Sequence, residues 1–521
     1  MAGMQLTQAL HKALRECPDR VAVVAGDQRP TFRQFAQRVQ RLAGALHGLG
    51  VQPGDRVGML ALNSLRYVEF FQGCWWAGAV VNPVNVRWSA AEVAFSLDDC
   101  DTRVLLVDRH FAPQVDAVRA LSRSLRTVVW ADDGPAPAGL LSYDGLLAAA
   151  TPAGDTGRGN ADLAAVLYTG GTTGRPKGVM LSHGNFYVNA LASMAALSRP
   201  AGGVGLVAAP LFHVAACALS IQLMRRQATQ VLIPAYEETA VLRLVQDEGI
   251  HEMFLVPTMI RRLIQHPRFG DFDLRSLRHL FYGASAIDET LLAEAMARLP
   301  QVQFCQAYGM TELSPTVAML LPDDHRPGPG QARRLRSAGK PLAVAEIRIV
   351  DPDDCELPTG QAGEICVRGP MVMQGYWNQP EATAQALRGG WMHTGDGGLF
   401  DDDGYLHVVD RIKDMIVSGG ENVYSAEVEN ALAQHPAVSQ SAVIGVPDER
   451  WGERVHAVVV LRAGQAADAP ELMAHCKALI AGYKCPRSIE FRSELPTSPA
   501  GKLQKFVLRE PFWQGRSRRV N

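Results

Sequence analysis

A chain of 521 residues is too long for one ordinary core, so roughly two to four folding units follow. Apolar content of 47%, charged content of 20% and a net charge of −2 describe a globular chain and exclude nucleic acid or an anionic membrane as the main electrostatic partner. Nine cysteines without a C-x-x-C pair or metal-ligand spacing read as free thiols in a reducing compartment. The N-terminus lacks a charged-then-apolar signal pattern and the last residues, Val520-Asn521, are not a peroxisomal tripeptide, so a cytoplasmic location is expected. Val21 to Val24 reads as a strand ended by Gly26-Asp27, and Thr31 to Gln34 as a capping box opening a helix with Phe35, Val39, Leu42 and Leu46 on one face. A strand over 57–62, a helix over 67–77, a strand over 80–82, a second capping box at Ser89 to Glu92 and a strand over 104–107 follow. This alternation predicts a parallel sheet covered on both faces.

The run Leu163 to Leu167 reads as a buried strand, and directly after it Tyr168 to Gly178 holds four glycines, three threonines and Lys177. Glycines let backbone N–H groups converge on an anion, hydroxyls add donors, and a lysine adds charge, so this is a segment suited to phosphate. The spacing is not that of a Walker A loop, because Pro176 stands before Lys177. Alone, such a segment also suits a solvated turn between two strands. The stretch from Gly202 to Met224 is apolar, but Pro210, His213 and Gln222 interrupt it; a strand followed by a buried helix fits better than a membrane span. A strand over 253–256 is ended by Pro257, and strands over 280–282 and 302–306 run into residues suited to a ligand, Gly283-Ala284-Ser285 and Tyr308-Gly309. In open α/β sheets ligands gather at the carboxyl ends of strands.

From 321 to 341 the chain turns rich in Pro, Gly and Arg and reads as a long surface connection. Short strand-like runs over 346–350 and 363–367 suggest a smaller β-rich subdomain. A last α+β unit from about Asp414 is expected to hold a helix capped by Ser425, strands over 441–446 and 456–461, and a helix over about 468–480. The basic tail Arg516-Ser517-Arg518-Arg519 reads as a solvated end.

Six further segments accompany the Gly/Thr loop in a fixed order: Tyr308-Gly309-Met310-Thr311-Glu312, Gly363-Glu364 with Arg368-Gly369, Gly375-Tyr376-Trp377-Asn378, His393-Thr394-Gly395-Asp396, Asp410 to Asp414 with Gly419-Gly420-Glu421-Asn422, and Gly501-Lys502. In this order they resemble the AMP-forming acyl-CoA synthetase superfamily over nearly the whole chain, from about residue 20 to 510. The resemblance implies an α/β fold: a large N-terminal domain of parallel sheets with a small distorted β-barrel subdomain over 1–412, and a small mobile α+β domain over 413–521.

It also implies a chemistry. A carboxylate attacks the α-phosphate of ATP, pyrophosphate leaves, and the acyl-adenylate is opened by a thiol. The substrate is itself the nucleophile, so the protein's task is positioning and charge stabilisation. Matched position by position, Thr169, Gly170, Gly171, Thr172, Thr173, Gly174 and Lys177 would cradle the β- and γ-phosphates. Glu312 would hold Mg²⁺, and Thr311 would bond the α-phosphate. Gly283, Ala284 and Ser285 with Tyr308 would sandwich the adenine, and Gly309 and Met310 would belong to the same ATP site. Asp396 would take the ribose hydroxyls, with Arg411 assisting, and Lys502 would be the catalytic amine at the α-phosphate. Lys413 would be the hinge of the mobile domain. His213 would stand beside the substrate carboxylate.

Amino-acid-activating relatives carry Asp at the position of His213, and malonate-activating relatives carry Arg where this chain has Ala307, so an uncharged acyl tail is expected. Val214, Ala215, Met259, Tyr282 and Met310 are expected walls of the acyl pocket. Gly419 and Gly420 would pass the pantetheine arm of coenzyme A, and Trp451, Lys484 and Arg487 would meet its nucleotide end. The expected substrates are a small carboxylic acid, fatty or aryl, with ATP, Mg²⁺ and coenzyme A, with no transmembrane segment and an assembly compatible with a homodimer. Two other readings stay open: a ligase loading an acyl carrier protein, and a nucleotide-binding relative without turnover.

Overall fold

The computed structural model describes residues 3–169, 176–411, 414–418, 421–497 and 503–514, and the side chains of 411, 421 and 422 lie outside that description. Two eight-stranded sheets form the bulk of the chain. In the first, the strands Val23–Ala25, Thr229–Leu232, Val204–Val207, Glu252–Leu255, His279–Gly283 and Gln303–Gly309 run parallel, and Thr316–Leu320 and Lys340–Pro341 close the edge antiparallel. In the second, Leu163–Thr169, Val80–Pro83, Arg56–Leu60, Val104–Val107, Thr127–Trp130 and Leu141–Ser142 are parallel, while Lys177–Ser182 and Gly375–Tyr376 extend it antiparallel. The largest core joins both sheets through the helices between them. Such strands are covered on both faces and therefore read as unbroken apolar runs.

Local signals act where the sequence places them. Thr31 and Gln34 make a reciprocal capping box at the start of helix Phe32–Gly48, which buries Phe35, Val39, Leu42 and Leu46. Ser89 and Glu92 do the same for helix Ala90–Asp99. Each box satisfies two backbone donors that a bare helix start leaves open. The apolar stretch is strand Val204–Val207 followed by helix Val214–Arg225. Among the described residues, no helix is long and apolar enough to cross a membrane.

The β-rich subdomain is a four-stranded antiparallel sheet of Glu346–Val350, Gly363–Arg368, Met392–Phe400 and Leu406–Arg411. Residues 421–423, 416–418, 452–461, 438–448 and 488–491 form a five-stranded sheet with its own core around Ile416, Val428, Leu432, Val443 and Val455.

Two readings need correction. The segment expected as a bare surface connection carries a short 3-10 turn Pro322–His325 and helix Gln331–Leu335, and His325 is buried against the Tyr282 hydroxyl at 2.9 Å. Ser425 does not cap its helix: the helix begins at Ser425 itself, with Tyr424 before it giving no side-chain cap. The Ser425 hydroxyl instead donates to Asp410 at 2.5 Å.

Candidate active site

The strands on either side of the Gly/Thr segment pair with each other. Leu163–Thr169 pairs antiparallel with Lys177–Ser182, and Thr169 faces Lys177 across the ladder; Gly170, Gly171, Thr172, Thr173 and Gly174 lie outside the described residues. The base of the hairpin is anchored from two sides: the Tyr168 hydroxyl donates to Asp99 at 2.6 Å, and Trp377 and Asn378 donate to the Asp99 carbonyl at 2.8 and 2.9 Å. Lys177 places its ammonium 4.8 Å from the centroid of the Tyr376 ring. The hydroxyl of that tyrosine donates to Oε1 of buried Glu312 at 3.0 Å. The fold thus brings together a loop lysine and a carboxylate far apart in sequence. Tyr376, which sequence reading noted only as part of a motif, is the side chain between them.

Glu312 and Thr311 sit in a 3-10 turn after strand Gln303–Gly309. A β-carbon at Gly309, whose φ is +155°, would lie 1.8 Å from the Pro315 carbonyl oxygen, so only glycine lets the backbone turn here. Across the sheet, Gly283 pairs with Ala307, and Ala284 continues with φ +64°, a left-handed conformation that costs a non-glycine residue roughly 1–2 kcal/mol. Strained positions of this kind concentrate at ligand sites.

The Tyr308 hydroxyl donates to Asp396 at 2.8 Å. In the strand register, Asp396 stands opposite Arg411 of the neighbouring strand. The irregular stretch of strand Met392–Phe400 before Asp396 is held by Glu364, whose Oε1 accepts from the Gly395 N–H at 3.0 Å and whose Oε2 lies 2.9 Å from His393 Nδ1 and 3.2 Å from Arg388. Thr394 adds a bond to the Ile365 carbonyl at 2.7 Å and accepts from the Asp396 N–H.

Against the Tyr308-to-Thr311 edge lies a cavity of about 140 Å³ between the first sheet and helix Val214–Arg225. Its wall includes His213, Val214, Ala215, Met259, Ala284, Met310 and Thr311. Tyr282 is not among them. Side chains alternate along a strand, so Tyr282 points into the opposite core with Leu255 and Phe304, and Phe281 and Phe254 take the cavity side. Sequence reading also missed Ser193, Arg199 and Gln222, three polar residues in the wall.

The expected coenzyme A contacts divide. The Arg487 guanidinium stacks over Trp451 at 4.7 Å, whereas the Lys484 ammonium is held by Glu427 at 2.7 and 2.8 Å. Gly419, Gly420, Lys413 and Lys502 lie outside the described residues, as does the side chain of Arg411.

Family comparison decides what this geometry belongs to. The model described as "AMP-binding enzyme" matches residues 10–377, and "AMP-binding enzyme C-terminal domain" matches residues 427–502. The chain belongs to the AMP-binding enzyme family. This AMP-binding enzyme is 42% identical over 499 residues to feruloyl-CoA synthase of Amycolatopsis sp, covering 96% of the chain and 97% of that relative. It is 38% identical over 508 residues to fatty acid–[acyl-carrier-protein] ligase ScoC of Streptomyces coeruleorubidus, covering 97% and 96%. Among solved structures, the anthranilate CoA ligase AuaEII in complex with anthranoyl-AMP superposes with a TM-score of 0.91 at 29% identity, covering 98% of each chain. The AMP-binding enzyme is thus an α/β protein of the adenylate-forming fold, and the linked group of Lys177, Tyr376 and Glu312 lies in the region of the first family match.

Proposed function

We propose that this enzyme activates an arylcarboxylic or arylalkenoic acid with ATP, forming the acyl-adenylate and pyrophosphate, and transfers the acyl group to coenzyme A. The carboxylate oxygen attacks the α-phosphorus, the bond to the pyrophosphate oxygen breaks, and the thiol sulfur then attacks the acyl carbon while AMP leaves and the thiol proton is released. The observation that carries the acid class is the cavity of about 140 Å³ at the Tyr308-to-Thr311 edge: an engineered cavity of about 150 Å³ in another protein takes up one benzene, so one ring fits where a long alkyl chain does not. The 42% identity to a feruloyl-CoA synthase and the fold shared with an anthranilate CoA ligase support the same class.

The roles follow the motif resemblance, and the described contacts are compatible with them. Lys177 with the Gly/Thr segment receives the β- and γ-phosphates, Thr311 the α-phosphate, Tyr308 and Ala284 the adenine, and Asp396 with Arg411 the ribose. Buried Glu312 offers the hard carboxylate oxygen that Mg²⁺ takes, beside the phosphate lysine; when bound, Mg²⁺ supplies charge neutralisation of the phosphates. Lys502 stabilises charge at the α-phosphate, and the small domain from 413 turns about Lys413 so that the thiol can approach. Trp451 and Arg487 meet the nucleotide end of coenzyme A.

The kinship with ScoC favours one competing acceptor, the phosphopantetheine of a carrier protein. The test is a panel of benzoic, cinnamic and C2 to C16 fatty acids, scored by acid-dependent pyrophosphate release and by thioester formed on coenzyme A or on holo-carrier protein. Turnover highest with aryl acids and coenzyme A is expected; a fatty-acid optimum, or thioester on carrier alone, overturns the reading, and no acid-dependent pyrophosphate at all would leave a nucleotide-binding protein.

A further inference from the structure

Away from the Tyr308-to-Thr311 edge and His213, polar side chains gather at one corner of the cavity wall. Arg199 follows helix His183–Ala196, and its side chain is only 2% exposed. One terminal nitrogen donates to Glu252 at 2.7 Å and the other to Gln222 at 2.7 Å, while the guanidinium lies 4.7 Å from the Phe281 ring centroid. Among the described residues, its Nε–H has no hydrogen-bond partner, nor has the hydroxyl of Ser193, which is 3% exposed. Ser193, Arg199, Gln222 and Phe281 all line the same cavity. Glu252 is shared: Arg226, also buried, holds its other oxygen. Two buried guanidiniums against one carboxylate leave an excess of positive charge beside the acyl cavity. Buried donors without acceptors and buried charge without a partner are both costly, and natural interiors leave few of them.

Position along the strands fixes which part of an acyl group meets this corner. Glu252, His279 and Gln303 are in register at the start of the parallel strands, and Phe281 pairs with Cys305. Gly309, at the adenylate edge, is four residues further along the strand than Cys305, or ~13 Å at ~3.3 Å per residue. An acid whose carboxylate meets Thr311 therefore points its far end toward Phe281 and the guanidinium stacked on it.

We propose that Arg199, Ser193 and Gln222 form a specificity subsite for an oxygen acceptor at the distal end of the acyl ring, so that the preferred acid is an arylcarboxylate bearing a hydroxyl or methoxy group there. A distal carboxylate is disfavoured, because both terminal nitrogens of Arg199 are already engaged and the remaining Nε–H cannot make the two-pronged grip a carboxylate takes from arginine. A site built around donors discriminates strongly against a ligand that leaves them unpaired.

This inference rests on the aryl-acid reading above, and one experiment separates the two. The kcat/KM for coenzyme A-dependent turnover is measured on the full chain with 4-hydroxycinnamate, 4-methoxycinnamate, cinnamate, 4-carboxycinnamate and decanoate. A preference of at least tenfold for the two oxygenated acids over both cinnamate and 4-carboxycinnamate is expected. In Ser193→Ala and Arg199→Gln that ratio should fall toward unity; a purely structural role would lower all acids together and leave the ratio standing. Should Arg199→Gln fail to fold, the wild-type ratios and Ser193→Ala decide. Equal use of cinnamate and 4-hydroxycinnamate overturns the subsite and spares the aryl-acid reading, whereas decanoate as the best substrate overturns both.

Discussion

Glu364 offers the sharpest test of how the nucleotide end of the site is built. Its carboxylate is assigned no ligand contact, yet it accepts from the Gly395 N–H at 3.0 Å and lies 2.9 Å from His393 Nδ1, so it fixes the stretch of strand that presents Asp396. Hydrogen bonds to a charged acceptor contribute about 1.5–3 kcal/mol each; the ion pair to Arg388, whose side chain is 39% exposed, adds little after screening. In Glu364→Ala the strand loses both bonds, one to the Gly395 N–H and one to His393. If about half of that loss reaches the bound nucleotide, about 1.5–3 kcal/mol, the KM for ATP rises about 10- to 150-fold. Glu364→Gln keeps an oxygen for Gly395 but no charge, and about a tenfold rise is expected. Acid-dependent ATP–pyrophosphate exchange, with ATP and acid varied separately, reads the effect. The KM for the acid should stay within threefold. An ATP KM unchanged in a folded Glu364→Ala protein, or ATP and acid constants rising together, refutes the reasoning.

Three further outcomes are expected. Gly309→Ala must move a β-carbon away from the Pro315 carbonyl oxygen at 1.8 Å, which only backbone displacement achieves, so adenylation should fall by more than tenfold even where the protein still folds; activity within twofold of wild type would be incompatible with the backbone described. Burial lowers the pKa of His183 from 6.5 to about 4, so the fold binds the neutral ring and the unfolded chain binds the extra proton. The stability this contributes is complete above pH 6.5 and is lost as pH falls toward 4, about 3 kcal/mol in all; urea titrations at pH 7.5 and 4.5 should show a smaller drop in His183→Asn than in wild type, and equal drops would exclude the assignment. Lys502→Ala should cost adenylate formation about 3–4 kcal/mol, or about 10²–10³ in rate, while thioester formation from supplied acyl-AMP is largely kept; equal damage to both half-reactions would remove Lys502 from the phosphoryl step.

Much of this was legible because short-range chemistry dictates it. Thr31 with Gln34 and Ser89 with Glu92 mark their helix starts to the residue. The three residues that break the apolar stretch, Pro210, His213 and Gln222, all line the cavity: a polar or rigid residue is kept in a buried segment where there is something other than core to face. What was not legible is phase and partnership. Leu280-Phe281-Tyr282 lies in a strand buried on both faces, so hydrophobicity does not tell which aromatic looks into the cavity, and the choice of Tyr282 over Phe281 was undetermined. Arg199 belongs to no motif; its partners Gln222 and Glu252 lie 23 and 53 residues away, and only the tertiary fold gathers them. Ser425 has the composition of a cap, but the carboxylate of Asp410 stands at that helix start and takes the serine hydroxyl.

That last contact bears on how the two parts of the chain communicate. Asp410 belongs to the last strand of the four-stranded sheet, and Ser425 opens helix Ser425–Ala433 in the five-stranded unit, so the bonds from the Ser425 N–H at 2.7 Å and from its hydroxyl at 2.5 Å cross the segment 412–413. A carboxylate at a helix N-terminus contributes about 0.3–1 kcal/mol at the surface and up to about 2 when partly buried. Lys505 adds to the joint: its ammonium meets the Ser425 hydroxyl and, at 2.8 Å, the carboxylate of Glu429. Burial drives the Glu429 pKa up while Lys505 opposes it, so the pair is stable only while both partners stay together. On the proposed reading, the small domain turns about Lys413, and Lys505 and Glu429 travel with it while Asp410 remains behind. The rotation therefore keeps the buried ion pair and gives up the two Ser425 bonds to Asp410, about 1.5–3 kcal/mol each as hydrogen bonds to a charged acceptor. An exchange of that size is within what binding of a nucleotide or of coenzyme A can offset.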